Sequence, residues 1–139
     1  MLNDIIKGMA EKIRTVYRPE DYRLYTEDVK QGFKEPCFFI SAVEHGHVKC
    51  LNTRYKEEYY MSVQYFPKGG SAECAEVSGE LPFLLEYIEA GGDLIHGVDI
   101  SSRISDGVFV FLIKYTVFVS AALPEDEFME RVEINGETI

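Results

Sequence analysis

The chain has 139 residues and a formal net charge of -10, with 46% hydrophobic and 27% charged residues. These values are typical of one soluble domain with its own core, and the acidic balance argues against a nucleic-acid-binding surface, which needs clustered Lys and Arg. No run reaches the roughly 18 apolar residues of a membrane span, and residues 1–7 lack the sections of a signal peptide, so we expect a cytoplasmic protein.

Two amphipathic helices are predicted. The first has apolar residues at helical spacing over residues 2–17. The second begins near Ser71 and carries an apolar stripe that runs to Ile88, with a stop at Gly91-Gly92. Pro82 falls inside this stripe, so a kink or a restart is expected there.

Three strands are predicted between the helices. Residues 22–26 form a short strand by composition, residues 37–44 read as a buried strand, and residues 55–66 alternate as a strand does. His45-Gly46-His47 is interpreted as a turn, and residues 48–54 are left as strand or loop.

The last two strands are predicted over residues 94–104 and 107–119. Asp106-Gly107 between them is the signal of a two-residue hairpin, because both turn positions favour φ > 0. One face of the final strand should contact the helices; it carries Phe109, Phe111, Ile113 and Tyr115. The other face begins with Val108, Val110 and Leu112, so it also needs cover.

The order α-β-β-β-α-β-β predicts an α+β fold, with a single antiparallel-rich sheet, two helices packed on one face and a long C-terminal hairpin. We expect one domain over residues 1–139, in which residues 124–139 are an acidic tail that could add a short edge strand. A strand of about 12 residues spans about 40 Å and a helix of about 16 residues about 24 Å. Part of the hairpin should therefore project or pair with another subunit.

Catalytic or metal-binding patterns have little support. His45, His47 and Cys50 lie close in sequence, but their spacing matches no zinc pattern and a second ligand pair is missing. The odd number of cysteines argues against a disulfide framework. The sequence has no phosphate-binding loop and no nucleophile elbow. We therefore expect no enzyme, no metal and no cofactor.

Several segments in order carry a likeness to a known family: 18–22, 32–40, 52–55, 63–67, 91–95 and 106–111. Together they resemble the tail terminator family of long-tailed bacteriophages, most closely the branch from prophages and phage-like elements of Gram-positive bacteria. The likeness runs over nearly the whole chain, although no single motif is specific.

The resemblance implies a structural subunit of a ring, most simply a hexamer, that caps the tail tube, stops its polymerisation and offers the head-tail joining surface. Its implied partners are further copies of itself, the tail tube protein and a head-side connector protein. DNA would pass through without specific binding, helped by the acidic charge. The implied location is the host cytoplasm during assembly and then the virion tail.

Candidate interface residues come from three places. They are Glu27, Asp28, Lys30, Gln31 and Phe33 in the connector 27–34, Arg54, Tyr55 and Lys56 at a strand start, and Val108, Val110 and Leu112. Phe33→Asp is expected to leave the fold intact and impair tail completion. Two alternatives stay open: another phage neck or connector component, or a regulatory α+β domain with a small-molecule pocket between helices and sheet.

Overall fold

The computed structural model describes residues 1–27 and 32–121, so the segment 124–139 lies outside it. Its elements are α1 (Leu2–Val16), β1 (Arg23–Tyr25), β2 (Cys37–Lys49), β3 (Arg54–Phe66), α2 (Ser71–Leu85), β4 (Tyr87–Ala90), β5 (Asp93–Ser105) and β6 (Val108–Ser120). The strands form one sheet in the order β1-β2-β3-β6-β5-β4. The β1–β2 pair is parallel and the other pairs are antiparallel. The predicted α+β class is confirmed.

The core lies between the two helices and one face of the sheet. The helices contribute buried residues at helical spacing, among them Ile5, Met9 and Ile13 of α1. From β6 come Phe109, Phe111, Ile113 and Tyr115, all buried, while the residues between them are only half-buried. This alternation has the period of two that the final strand was expected to show.

The hairpin at Asp106-Gly107 forms as predicted. Asp106 has a φ of 52° and Gly107 a φ of 76°, and Ser105 pairs with Val108 across the turn. A turn with positive φ at both central residues matches the right-handed twist of the strands that it joins.

The expected turn at His45-Gly46-His47 is wrong. Strand β2 continues through these residues to Lys49, and the chain turns over residues 50–53. Both histidine rings stack on tyrosines of β3: the His45 ring lies 4.6 Å from the Tyr59 ring and the His47 ring 4.8 Å from the Tyr55 ring. These cross-strand contacts keep the segment extended.

Helix α2 is shorter than its apolar stripe suggested. It is continuous through Pro82 and ends at Leu85, so it does not restart at the proline. Ile88 is fully buried, but it lies in β4, which pairs with the start of β5. The sheet therefore has one more short strand than the sequence pattern indicated.

Three strands extend past the helices. Strands β2, β3 and β6 have 13 residues each and the helices 15, which corresponds to about 43 Å against about 22 Å. Part of the C-terminal hairpin was expected to project. The last residues of β6 do extend past the helices, together with β2 and β3. They do so without β5, because the start of β5 pairs with β4. We call residues 46–56 and 117–121 the distal end.

Two β-bulges interrupt the long strands that flank the centre of the sheet. One lies at Val43, between the paired residues Ala42 and Glu44 of β2. The other lies between Val98 and Ser101 of β5, where Asp99 has a φ of 55°. Within residues 1–27 and 32–121, no helix is long and apolar enough to cross a membrane.

Candidate assembly surfaces

Phe33 of the connector covers part of the sheet face opposite the helices. The Phe33 ring is half-buried and its centroid lies 5.0 Å from those of Tyr25, Phe39 and Phe66. We therefore expect Phe33→Asp to cost stability as well as to change a surface, and its effect on tail completion stays a prediction. Glu27 is exposed, while Asp28, Lys30 and Gln31 lie outside the described residues.

The second face of β6 is mixed rather than continuously apolar. Val108, Val110 and Leu112 are half-buried, and no helix lies against them in the described part of the chain. Polar neighbours flank them on both sides: Leu112, for example, stands between Ser62 of β3 and Ser101 of β5. This face is an uncovered surface of modest apolar character.

Lys114 forms a charged centre on the same face. Its Nζ lies 3.2 Å from an Asp99 carboxylate oxygen and 3.4 Å from one of Glu58, and 5.6 Å from the centroid of the Tyr60 ring. The contact with Asp99, followed by that with Glu58, raises the pKa of Lys114. A depression of about 210 Å³ opens beside it, next to the bulge residue Val43. The two carboxylates compensate the lysine charge.

The distal end gathers Arg54, Tyr55 and Lys56, the candidate residues from the start of β3. The Arg54 guanidinium lies 4.8 Å from the centroid of the Phe118 ring, a cation–π geometry. Lys56 pairs in register with Phe118 on one side and with Val48 on the other. The outer face of the distal end is thus both basic and apolar.

The Glu57 carboxylate contacts both His45, next to the distal end, and His47 within it. His45 Nε2 lies 3.1 Å from Glu57 Oε1, and His47 Nδ1 lies 2.5 Å from Glu57 Oε2. The Cys50 sulfur is exposed and its nearest hydrogen-bond acceptor is the Val48 carbonyl at 4.0 Å. Among residues 1–27 and 32–121, no group of three or more His, Cys, Asp or Glu side chains is placed to hold a metal ion.

The outward side of α2 is a surface that the sequence reasoning missed. Its buried stripe carries Cys74, Val77, Leu81 and Leu85, and the opposite side ends with Phe83, which is 83% exposed. A depression of about 410 Å³ lies there, lined by Val16, Gly79, Glu80, Phe83 and Leu84. The available signal was Phe83 itself, because it is a large apolar residue placed off the helix's apolar stripe.

The described part of this α+β chain leaves one sheet face and the outward side of α2 uncovered. A family model described as "Phage tail terminator protein" matches residues 4–127. The chain therefore belongs to the phage tail terminator family, a family of structural proteins of the phage tail.

Two further comparisons add no information about function. A search of curated proteins finds no match. Among the solved structures that match is a chain, identified only by a sequence number, with 14% identity and a TM-score of 0.40 over 88% of this chain and 97% of that one. We draw nothing about function from that likeness.

Proposed function

We propose that this chain is the subunit of a ring, most simply a hexamer, that caps the finished tail tube, stops its polymerisation and presents the surface joined by the head-side connector. The observation that carries the proposal is the family match over residues 4–127. The subunit acts without enzymatic activity or cofactor, assembles in the host cytoplasm and stays in the virion tail. The prophage and Gram-positive origin remains a prediction.

The charge of the chain supports such a role. A net charge of -10 gives a ring of several copies a strongly negative field, which repels phosphate and keeps passing DNA from adhering. The partners in this proposal are other copies of the chain, the tail tube protein and the head-side connector, and DNA only passes through.

We propose that the candidate interface residues contact either a neighbouring copy in the ring or a partner protein. Arg54, Tyr55 and Lys56 lie on the distal end, beyond the helices. Val108, Val110 and Leu112 lie on the sheet face that the helices leave uncovered. Phe33, at the end of the connector, packs on Tyr25, Phe39 and Phe66 of that same face, and Glu27 is exposed.

The decisive experiment is a tube-polymerisation assay with the purified tail tube protein from the same phage element. Electron microscopy of negatively stained tubes should show that this chain shortens them in a dose-dependent manner and sits as a ring at one end only. A heat-unfolded sample of the chain is the control. Tubes of unchanged length with no bound ring would contradict the proposal.

The same assay separates the alternatives. A neck or connector component that is not a terminator would bind tails already capped by another protein, but it would leave free tube growth unchanged. A small-molecule regulator would neither bind tubes nor change their length.

A further inference from the structure

The distal end is the basic region of an acidic protein. Residues 46–56 and 117–121 contain Lys49, Arg54 and Lys56 and no Asp or Glu. Glu57 follows directly and contacts His47, and Glu58 lies 3.9 Å from Lys56 Nζ. Among residues 1–27 and 32–121, the positive charge without an ion-pair partner is therefore centred on Lys49 and Arg54. The distal end is the site where an acidic surface would be attracted.

The same region exposes large apolar side chains. Leu51 in the turn is 83% exposed, Phe118 is 52% exposed and Val48 is 43% exposed. Single exposed apolar residues need no explanation, but a group of them beside uncompensated cations is typical of an interface.

The outward side of α2 has complementary features. It presents Ala72, Ala75 and Gly79 along an exposed strip that leads to Phe83, and Glu76 and Glu80 flank it, both exposed. The Glu80 carboxylate accepts a hydrogen bond from the Tyr17 hydroxyl, which fixes its position. The outward side of α2 therefore combines small residues and one aromatic ring with carboxylates.

One subunit cannot join its own two surfaces. Helix α2 lies along β6 from the Gly107 turn, where the Cys74 sulfur is 3.9 Å from the Gly107 carbonyl oxygen, to Tyr115, whose hydroxyl donates to the Leu85 carbonyl at 2.6 Å. Its strip points away from the sheet. Phe118 lies further along β6 and on the opposite sheet face, since Val117 is the residue that contacts the core.

We propose that the distal end of one copy docks on the outward side of α2 of the next copy, with Leu51 or Phe118 entering the depression beside Phe83 and Arg54 facing Glu76. The inference rests on the proposed ring, because it names the contact between neighbouring subunits. Two different surfaces that complement each other give a head-to-tail contact, and such contacts close into rings when the rotation permits.

The occupant is a second copy of this chain because both halves of the match belong to it. The basic, apolar end and the acidic, apolar strip have opposite charge and similar exposed chemistry, so self-association satisfies both at once. If the tail tube protein were the occupant of either surface, the two surfaces would act independently of each other, which the experiment below detects.

The test uses two full-length variants whose changes fall on exposed residues, so that the fold is preserved. Leu51→Glu with Arg54→Glu alters the distal end, and Ala75→Glu with Phe83→Glu alters the strip, so that the two altered surfaces carry like charge and repel each other. Each variant alone should lose ring formation in light scattering, with the dissociation constant raised on the order of 100-fold or more. Lys7→Glu with Leu94→Glu, at two exposed positions outside both surfaces, is the matched control and should form rings as the unchanged chain does.

The mixture of the two variants gives the sharper result. One intact strip and one intact distal end remain, so the mixture should form a heterodimer and no larger species, at the affinity of a single native contact. A benzophenone side chain placed at Phe118 of the unchanged protein should crosslink to a peptide within Ser71–Leu85 of another copy.

Failure of this inference differs from failure of the proposed function. If either variant still forms rings, or if the two folded variants do not pair while the unchanged chain forms rings, the contact is elsewhere and the inference is overturned. In those cases the tube-capping result still decides the proposed function. If the unchanged chain neither forms rings nor caps tubes, both are overturned.

Discussion

Replacement of Phe33 by Ala tests whether the Phe33 ring is part of the packed structure or only a surface side chain. Complete loss of a buried Phe side chain costs roughly 3–5 kcal/mol, and Phe33 is half-buried among three aromatic rings. We expect Phe33→Ala to lower the free energy of unfolding by about 2 kcal/mol. At about 3 °C for each kcal/mol, the midpoint of thermal unfolding should fall by about 6 °C.

The matched control is Phe83→Ala. This ring is 83% exposed, so its removal should change the free energy of unfolding by less than about 0.5 kcal/mol. Urea unfolding followed by circular dichroism, at a concentration low enough to keep the protein monomeric, compares the two variants with the parent. The reasoning would be refuted by equal unfolding free energies for Phe33→Ala and Phe83→Ala.

Two other predictions concern α1 and α2. Gly8→Ala should destabilise the protein by about 1–3 kcal/mol in urea unfolding, because the new Cβ would overlap the Glu89 carbonyl group. Gly79→Ala, with open space around it, should stabilise the protein by up to about 1 kcal/mol. A gain in stability from both variants would contradict the packing of α1 on β4. Glu73→Gln should cost about 1 kcal/mol at pH 7, because the Tyr65 hydroxyl donates a hydrogen bond to this carboxylate at 2.8 Å and lowers its pKa. A carboxylate whose pKa is lowered in the folded state stabilises the fold at pH values above its unfolded pKa. That stability is lost as the pH falls through the folded pKa. The difference from the parent should shrink below about pH 4, and a pH-independent difference would rule out the ionised carboxylate as its source.

The parts of the fold that the sequence predicted well are those governed by local pattern. The alternation of Phe109, Phe111 and Ile113 identifies a buried strand face from the residues alone, and Asp106-Gly107 identifies the hairpin. These features depend on neighbours two residues away or on intrinsic backbone preference, so no long-range information is needed.

The errors come from contacts that join distant segments. His45 and His47 look like turn residues beside a glycine, but stacking on Tyr59 and Tyr55 from the paired strand holds them extended. Ile88 fits the period of α2 and also that of β4, and pairing with Ile95 decides between them. A single sequence contains the residues of such pairs but not their register.

The candidate surfaces show the same division. Arg54, Tyr55 and Lys56 were proposed as interface residues because they start a strand, which is a local property, and β3 does begin at Arg54. The exposure of Phe83 depends on which side of α2 meets the sheet, and the packing of Phe33 depends on β1 lying beside β2. The identity of the family came from an ordered set of weak segments rather than from any physical pattern.

The bulges at Val43 and Asp99 affect how readily the free edges of the sheet can pair with strands of another chain. Strands β2 and β5 are long, and the short strands β1 and β4 pair with only part of each, so much of their outer edges is free. A straight free edge is a template for amyloid-like stacking, and a bulge breaks the regular spacing of its amide and carbonyl groups. The bulges therefore make these edges poorer templates for strand pairing, which favours association through surfaces that side chains can make specific.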